Sequence, residues 1–320
     1  MSASEESKRV LVTGATGFIG YHCLAPLLQR GYEVHAVSTK SGTKTEPPIV
    51  WHQADLLDRS AGGRLMETVK PTHLLHLAWY VVPGKLISSD LNFDWVRSSM
   101  ELLRAFQQQG GRRVVMCGSS YEYDWNYGYC HETRTPTVPN TIYGACKHAL
   151  DVMVQAFCLA HGLSPAWPRV FFLYGPNEHP DRLVSSVIRS VLQGQEARCS
   201  HGKQIRDYLH VQDVADAIVS VLDSGVEGAV NIGSGTAVTL REMIMTIGHT
   251  LGREDLLKLG AIPSRANDAQ LVVANVERLI NVSSGSLGFR WKKGSSTRSS
   301  GGVTRWRKTG KEEEWSGSRF

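Results

Sequence analysis

No stretch of this 320-residue chain approaches the roughly 18 consecutive apolar residues of a membrane-spanning helix, so no membrane segment is expected. The opening residues MSASEESKRV hold no apolar core ahead of the first strand, so nothing reads as a secretory leader. The six cysteines (Cys23, Cys117, Cys130, Cys146, Cys158 and Cys199) are scattered and form no C-x-x-C pair. That spacing offers no zinc site and suits free thiols in a reducing compartment, so we expect a cytoplasmic protein without a metal. Excess charge is also absent from most of the chain. Residues 281–320 carry nine Lys/Arg and three Glu, while residues 1–280 hold 26 basic and 27 acidic residues. The formal charge of +5 therefore belongs to the tail, and no nucleic-acid partner is expected of the near-neutral body.

What is present is an alternation. The apolar run Val10–Val12 breaks into glycines, the helical spacing of YHCLAPLLQRG stops at Gly31, and YEVHAVS reads as a second strand. This is a β-α-β unit of about 30 residues. Strand-like runs HLLHLAW, RRVVMCGSS and RVFFLYGP then alternate with helical stretches over roughly 92–109 and 143–161. Such alternation implies an α/β fold with a doubly wound parallel sheet covered by helices on both faces. After Gly175 the pattern loosens into shorter pieces, among them TLREMIMTIGHTLG, a helix with Thr239 as its N-cap. We expect a nucleotide-binding domain over 1–175, to which 203–235 returns, and a smaller substrate domain from 176–202 and 236–280. Residues 281–320, with nine Ser and seven Gly, read either as low-complexity disorder or as an artefactual replacement of a terminal helix.

The segment TGATGFIG places Gly14, Gly17 and Gly20 between a strand and a helix. Glycine permits a turn with positive φ and a close approach of backbone to a pyrophosphate, which the helix N-terminus then stabilises. The second strand ends AVSTK. Ser38 stands where an NAD-binding site would carry an acid for the ribose 2′-hydroxyl, and Lys40 follows. With no carboxylate to repel a 2′-phosphate, NADP is favoured slightly over NAD. Asp55, near the end of a third strand, is a candidate adenine-edge contact.

In TIYGACK, Tyr143 and Lys147 are four residues apart, hence on one face of a helix. A nearby ammonium and a positive nicotinamide ring are expected to lower the phenol from its usual pKa near ~10, fitting Tyr143 for proton exchange with a hydroxyl. Cys146, between them, reads as packed. His76, in an apolar strand, reads as a satisfied core histidine. The aromatic cluster YEYDWNYGYCHE either stacks on a ligand or packs a loop.

Taken together, TGATGFIG, HLLHLAW, GSSYEY, YGACK, RVFFLYGP, RDYLHVQDVADAI and NIGSG resemble the extended short-chain dehydrogenase/reductase family. These are the NAD(P)-dependent nucleotide-sugar epimerases, dehydratases and ketoreductases, and the resemblance covers roughly residues 9–280. It implies a Rossmann domain with a small C-terminal substrate domain, a homodimer through the helices at 92–109 and 143–161, and a Ser/Thr–Tyr–Lys catalytic set. Counting back from Tyr123 gives Ser119 as the third member; another alignment gives Ser120, which we place at the substrate. Cofactor contacts are implied at Gly14, Thr16, Gly17, Phe18, Ile19, Gly20, Ser38, Lys40, Asp55, Leu56, Leu77, Ala78, Tyr143 and Lys147. Arg206 matches the family's diphosphate-anchoring arginine, whose fork suits a phosphate; Asn177 and Arg182 are further substrate candidates. His210 and Asp213 are expected to order the loop and cap the next helix. The dehydratases resemble a Thr-Asp-Glu pattern, but Ser120 and Tyr121 follow Ser119 here and Glu122 is one position off. Ser38 and Lys40 tilt the expectation toward an NADP-linked 4-ketoreductase, with an NAD-linked 4-epimerase as the alternative. A non-enzymatic dinucleotide sensor on this fold typically lacks the Tyr or Lys, and both are present.

Overall fold

The computed structural model describes residues 8–40, 48–264 and 268–285. Strands β1 (Arg9–Thr13), β2 (Glu33–Ser38), β3 (Val50–Gln53), β4 (His73–His76) and β5 (Arg113–Met116) join strands Ser164–Val170 and Gly228–Ile232 in one sheet. Its order is Gly228–Ile232, Ser164–Val170, β5, β4, β1, β2, β3, with parallel pairing throughout. A sheet covered on both faces needs continuous apolar runs rather than alternation, and Val10–Val12, Leu74, Leu75, Val114 and Val115 are all fully buried.

Among the described residues the longer helices are α1 (Phe18–Gln29), α2 (Ala61–Val69), α3 (Leu91–Gln108), α4 (Ile142–His161), α5 (Leu183–Leu192), α6 (Val211–Asp223), α7 (Leu240–Leu251) and α8 (Glu277–Gly285). α1 and α6 share one core with the sheet, around Cys23, Leu27, Val214 and Ile218. α2, α3 and α4 share the core on the other face, around Met66, Leu103, Phe106 and Leu150. A third, smaller core gathers Val184, Val187 and Val191 of α5 with Met243, Ile244 and Ile247 of α7. No helix among the described residues is long and apolar enough to cross a membrane.

Local chemistry fixes the helix ends that matter. Thr141 caps α4 by accepting from the Gly144 N–H at 3.0 Å, and Gly162 ends it in the left-handed region. Thr239 and Glu242 form the reciprocal box that starts α7. His210 caps α6, its Nδ1 accepting from the Gln212 N–H. One expectation is corrected. Residues 281–285 are not a featureless tail but continue α8, whose Leu279 is fully buried against the α6 side of the sheet. The remainder of the tail, 286–320, lies outside the described residues.

Candidate active site

The strand order reverses between β1 and β4, and the loops leaving these two strands meet at the C-terminal edge of the sheet, where such folds form a crevice. Gly14 has φ +67° and sits so close to the second loop that a Cβ would lie 2.7 Å from the Ala78 nitrogen. A Cβ on Gly20 would collide with the Gly14 carbonyl, so the start of α1 packs tightly on the turn. Gly17 is the N-cap of α1. It supplies no side-chain cap, and the first turn holds no acid. The first N–H groups of α1, from Phe18, Ile19 and Gly20, therefore have no partner within the helix and favour an anion.

Beneath these loops lies a buried polar chain whose protons can be assigned. The Ser99 hydroxyl donates to Trp95 O at 2.6 Å, so at 2.8 Å it accepts from His76 Nε2. His76 Nδ1 then accepts from the Thr13 hydroxyl at 2.7 Å. Thr13 Oγ1 in turn accepts from the N–H groups of Leu77 and Ala78, each at 3.2 Å. Burial pushes the His76 pKa down to about 3, so the ring is neutral. His76 is a satisfied core histidine that sets the backbone at two cofactor candidates.

Tyr143, Lys147 and Asp151 follow one another at four-residue spacing on the inner face of α4, and all are buried. The Ser119 hydroxyl lies near enough to the Tyr143 phenol to favour its ionised form. Lys147 Nζ donates to Cys117 O at 2.7 Å and lies 3.6 Å from the centroid of the Trp79 ring. Trp79 Nε1 is held by Asn92 Oδ1 at 2.8 Å. Burial brings the Lys147 pKa down to about 8. The expected lowering of the Tyr143 phenol is not met. Burial raises it, and Ser119 supplies the largest opposing influence. The Lys147 ammonium is turned to the Cys117 carbonyl and the Trp79 face.

Ser119 is gripped from below. Glu122 is fully buried, and its Oε1 accepts the Ser119 N–H at 2.7 Å. The same carboxylate accepts from Trp167 Nε1 at 3.0 Å and from Arg169 Nε at 2.8 Å. Arg169 Nη2 reaches Asp151 Oδ2 at 3.0 Å. Burial raises the Asp151 pKa to about 6, with the Glu122 charge adding to it and the arginine only partly offsetting both. Glu122 thus faces the core.

Ser120 is buried and its carbonyl accepts from Trp125 Nε1 at 2.7 Å. Arg206 is not a surface residue: it is buried, paired with Asp268 at 2.6 Å and set over the rings of Trp125 and Phe172. Arg182 begins α5, and Asn177 is exposed with φ 69°. Burial raises the Tyr208 phenol, with the Glu178 charge adding to it and the Arg206 and Arg182 charges opposing it. On the cofactor side, Thr16 and Lys40 are exposed. The Ser38 hydroxyl is buried and accepts from the Lys40 N–H at 3.0 Å. Asp55 accepts from the Leu57 N–H at 3.0 Å, and the Leu56 carbonyl from Ser98 at 2.5 Å. No group of three or more His, Cys, Asp or Glu that could hold a metal occurs among the described residues.

Comparison with known proteins bears on the family and the fold. The model of the NAD-dependent epimerase/dehydratase family matches residues 10–233. The chain belongs to that family. Among curated relatives, the dTDP-glucose 4,6-dehydratase of Neisseria gonorrhoeae is 29% identical over 271 residues, covering 76% of this chain and 78% of the relative. The UDP-glucose 4-epimerase of Lacticaseibacillus casei is 26% identical over 295 residues, covering 84% and 88%. The solved UDP-glucose 4-epimerase of Thermus thermophilus in complex with NAD superposes with TM-score 0.74 at 27% identity, covering 85% of this chain and 92% of that one. MoeE5 in complex with UDP-glucose and NAD gives 0.74 at 30% identity, covering 89% and 93%.

An epimerase/dehydratase-family enzyme is NAD-dependent, and the residues present fit that cofactor. The glycine turn leaves no room for side chains, and the uncapped N-terminus of α1 suits a pyrophosphate. Sequence reasoning missed four residues that shape this site: Trp79, Glu122 in its inward role, Asn92 and Asp268. Glu122 forms a local Ser-x-x-Glu capping box with Ser119, but its contacts to Trp167 and Arg169, like those of Asp268, are distant in sequence.

Proposed function

We propose that the protein is an NAD-linked 4-epimerase of a nucleoside-diphosphate sugar, acting through Ser119, Tyr143 and Lys147. The observation that carries this reading is the gathering of the buried Ser119, Tyr143 and Lys147 side chains at the C-terminal edge of the sheet, with Lys147 held on the Cys117 carbonyl. NAD supplies the hydride acceptor and donor when bound. Tyr143 takes the proton from the sugar hydroxyl and returns it to the same oxygen after the carbonyl has turned its other face. Ser119 holds that oxygen in line with the phenol. Lys147 would hold the nicotinamide ribose, and its pKa of about 8 keeps it mostly protonated at neutral pH. Arg206 and Arg182 are the candidate anchors for the diphosphate. The inward-facing Glu122 argues against dehydration, because the turn then offers no acid to the substrate.

A 4-ketoreductase using NADP is the second reading, favoured by one observation: β2 ends in Ser38 without a carboxylate, and the exposed Lys40 lies beside it. Mass spectrometry of the nucleotide released on denaturation separates the two. Near-stoichiometric NAD supports the epimerase, and an empty site or traces of NADP the reductase. We also propose a homodimer through α3 and α4, which expose Phe93, Val152, Met153 and Leu159. Sedimentation of the purified protein tests it.

A further inference from the structure

We propose that Tyr121, backed by Trp125, receives the sugar ring and sets which sugars are accepted. This rests on the functional reading above and adds a specificity-determining residue to it. The two ends of the cleft define an interval. Tyr143 marks the reacting carbon, while Arg206 and Arg182 mark the phosphates. Tyr121 occupies the space between them. Its ring centroid is 5.6 Å from that of Tyr143, edge to face, and 4.4 Å from that of Trp125. Beyond Trp125 comes the Arg206 guanidinium, 5.9 Å from the indole centroid.

The platform is held before any ligand arrives. Trp125 is fixed through Nε1 to Ser120 O at 2.7 Å. The Tyr121 N–H donates to Ser119 Oγ at 3.3 Å, so the aromatic ring belongs to the same short turn as the candidate catalytic serine. That turn rests on the first turn of α4, where a Cβ on Gly144 would collide with the Tyr121 carbonyl. Tyr121 itself is half-buried, so part of its surface stays open. A pyranose presents a C–H-rich face, and a rigid aromatic side chain offers it apolar area at little entropic cost. The ligand class is therefore a nucleoside diphosphate carrying a pyranosyl ring, and the ring rather than the nucleotide depends on Tyr121.

The test is calorimetric titration of the NAD-loaded protein with UDP-glucose, dTDP-glucose, UDP and dTDP. Tyr121→Ala should weaken the two sugar nucleotides by about tenfold while leaving UDP and dTDP within about twofold. Tyr121→Leu keeps an apolar side chain of substantial volume without the ring and should show the same selective loss should the alanine variant fold poorly. Tyr121→Phe should bind much like the parent. Equal loss for sugar nucleotides and free nucleotides, or no loss at all, overturns the proposal. A parent protein that binds none of the four ligands instead defeats the functional reading, and the proposal with it.

Discussion

Two buried polar networks support the candidate site, and they are made of opposite materials. Under the cofactor loops, Thr13, His76 and Ser99 form a neutral chain in which each donor meets one acceptor. Under Ser119, Glu122, Arg169 and Asp151 form a charged chain that joins the serine turn to a strand and to the third turn of α4. A neutral chain loses little on desolvation and settles the backbone at Leu77 and Ala78. A buried charged chain bears a large desolvation cost that its own ion pairs only partly repay. Its value is better sought in placement, because it connects the element carrying Ser119 to the helix carrying Tyr143 and Lys147.

The comparison can be broken from the charged side first. Arg169→Met leaves two carboxylates buried without their cation and should cost about 3–5 kcal/mol, read from urea unfolding. A loss no larger than that of an ordinary surface substitution would mean the chain is not held as ions. Glu122→Gln keeps an acceptor for the Ser119 N–H but removes the charge. We expect about 1–3 kcal/mol of lost stability and a fall in turnover with NAD affinity unchanged, which a purely structural role would not produce. On the neutral side, His76→Phe leaves the Thr13 hydroxyl without its acceptor and should cost about 1–2 kcal/mol while weakening NAD binding.

The networks also act in opposite senses on the pH dependence of stability. His76 has its folded pKa depressed from 6.5 to about 3, so the unfolded chain takes up a proton first. Its contribution is lost as pH falls from 6.5 toward 3. Asp151 has its folded pKa raised from 3.8 to about 6, so the folded state holds a proton that the unfolded chain releases. Stability is therefore lost as pH rises from 3.8 to about 6. Asp151→Asn should remove the second slope and leave the first, as measured by melting between pH 4 and 6 (about two pKa units of linkage).

The division between the networks also marks what could be read from the sequence. Gly14, Gly17 and Gly20 were legible because their need is local: a turn, a positive φ and a close approach. Tyr143 and Lys147 were legible because a helix turns four residues to one face. The β-α-β alternation was enough to imply the parallel sheet, because buried strands read as unbroken apolar runs. The inward role of Glu122 was not legible, since Trp167 and Arg169 lie more than forty residues along the chain. Nor was the direction of the Lys147 ammonium, which depends on Cys117 and Trp79. Arg206 was picked out by its motif, but its burial against Asp268 depends on a contact 62 residues away.

The central claim is that Tyr143 moves the proton while NAD exchanges the hydride. The most direct test follows the near-ultraviolet absorbance of reduced nicotinamide, and the sugar products, after NAD-loaded protein is mixed with UDP-glucose, UDP-galactose and dTDP-glucose. The account predicts interconversion of a sugar-nucleotide pair by the parent chain. It predicts at least about a hundredfold loss in Tyr143→Phe, with NAD still bound. A Tyr143→Phe variant as active as the parent would contradict it.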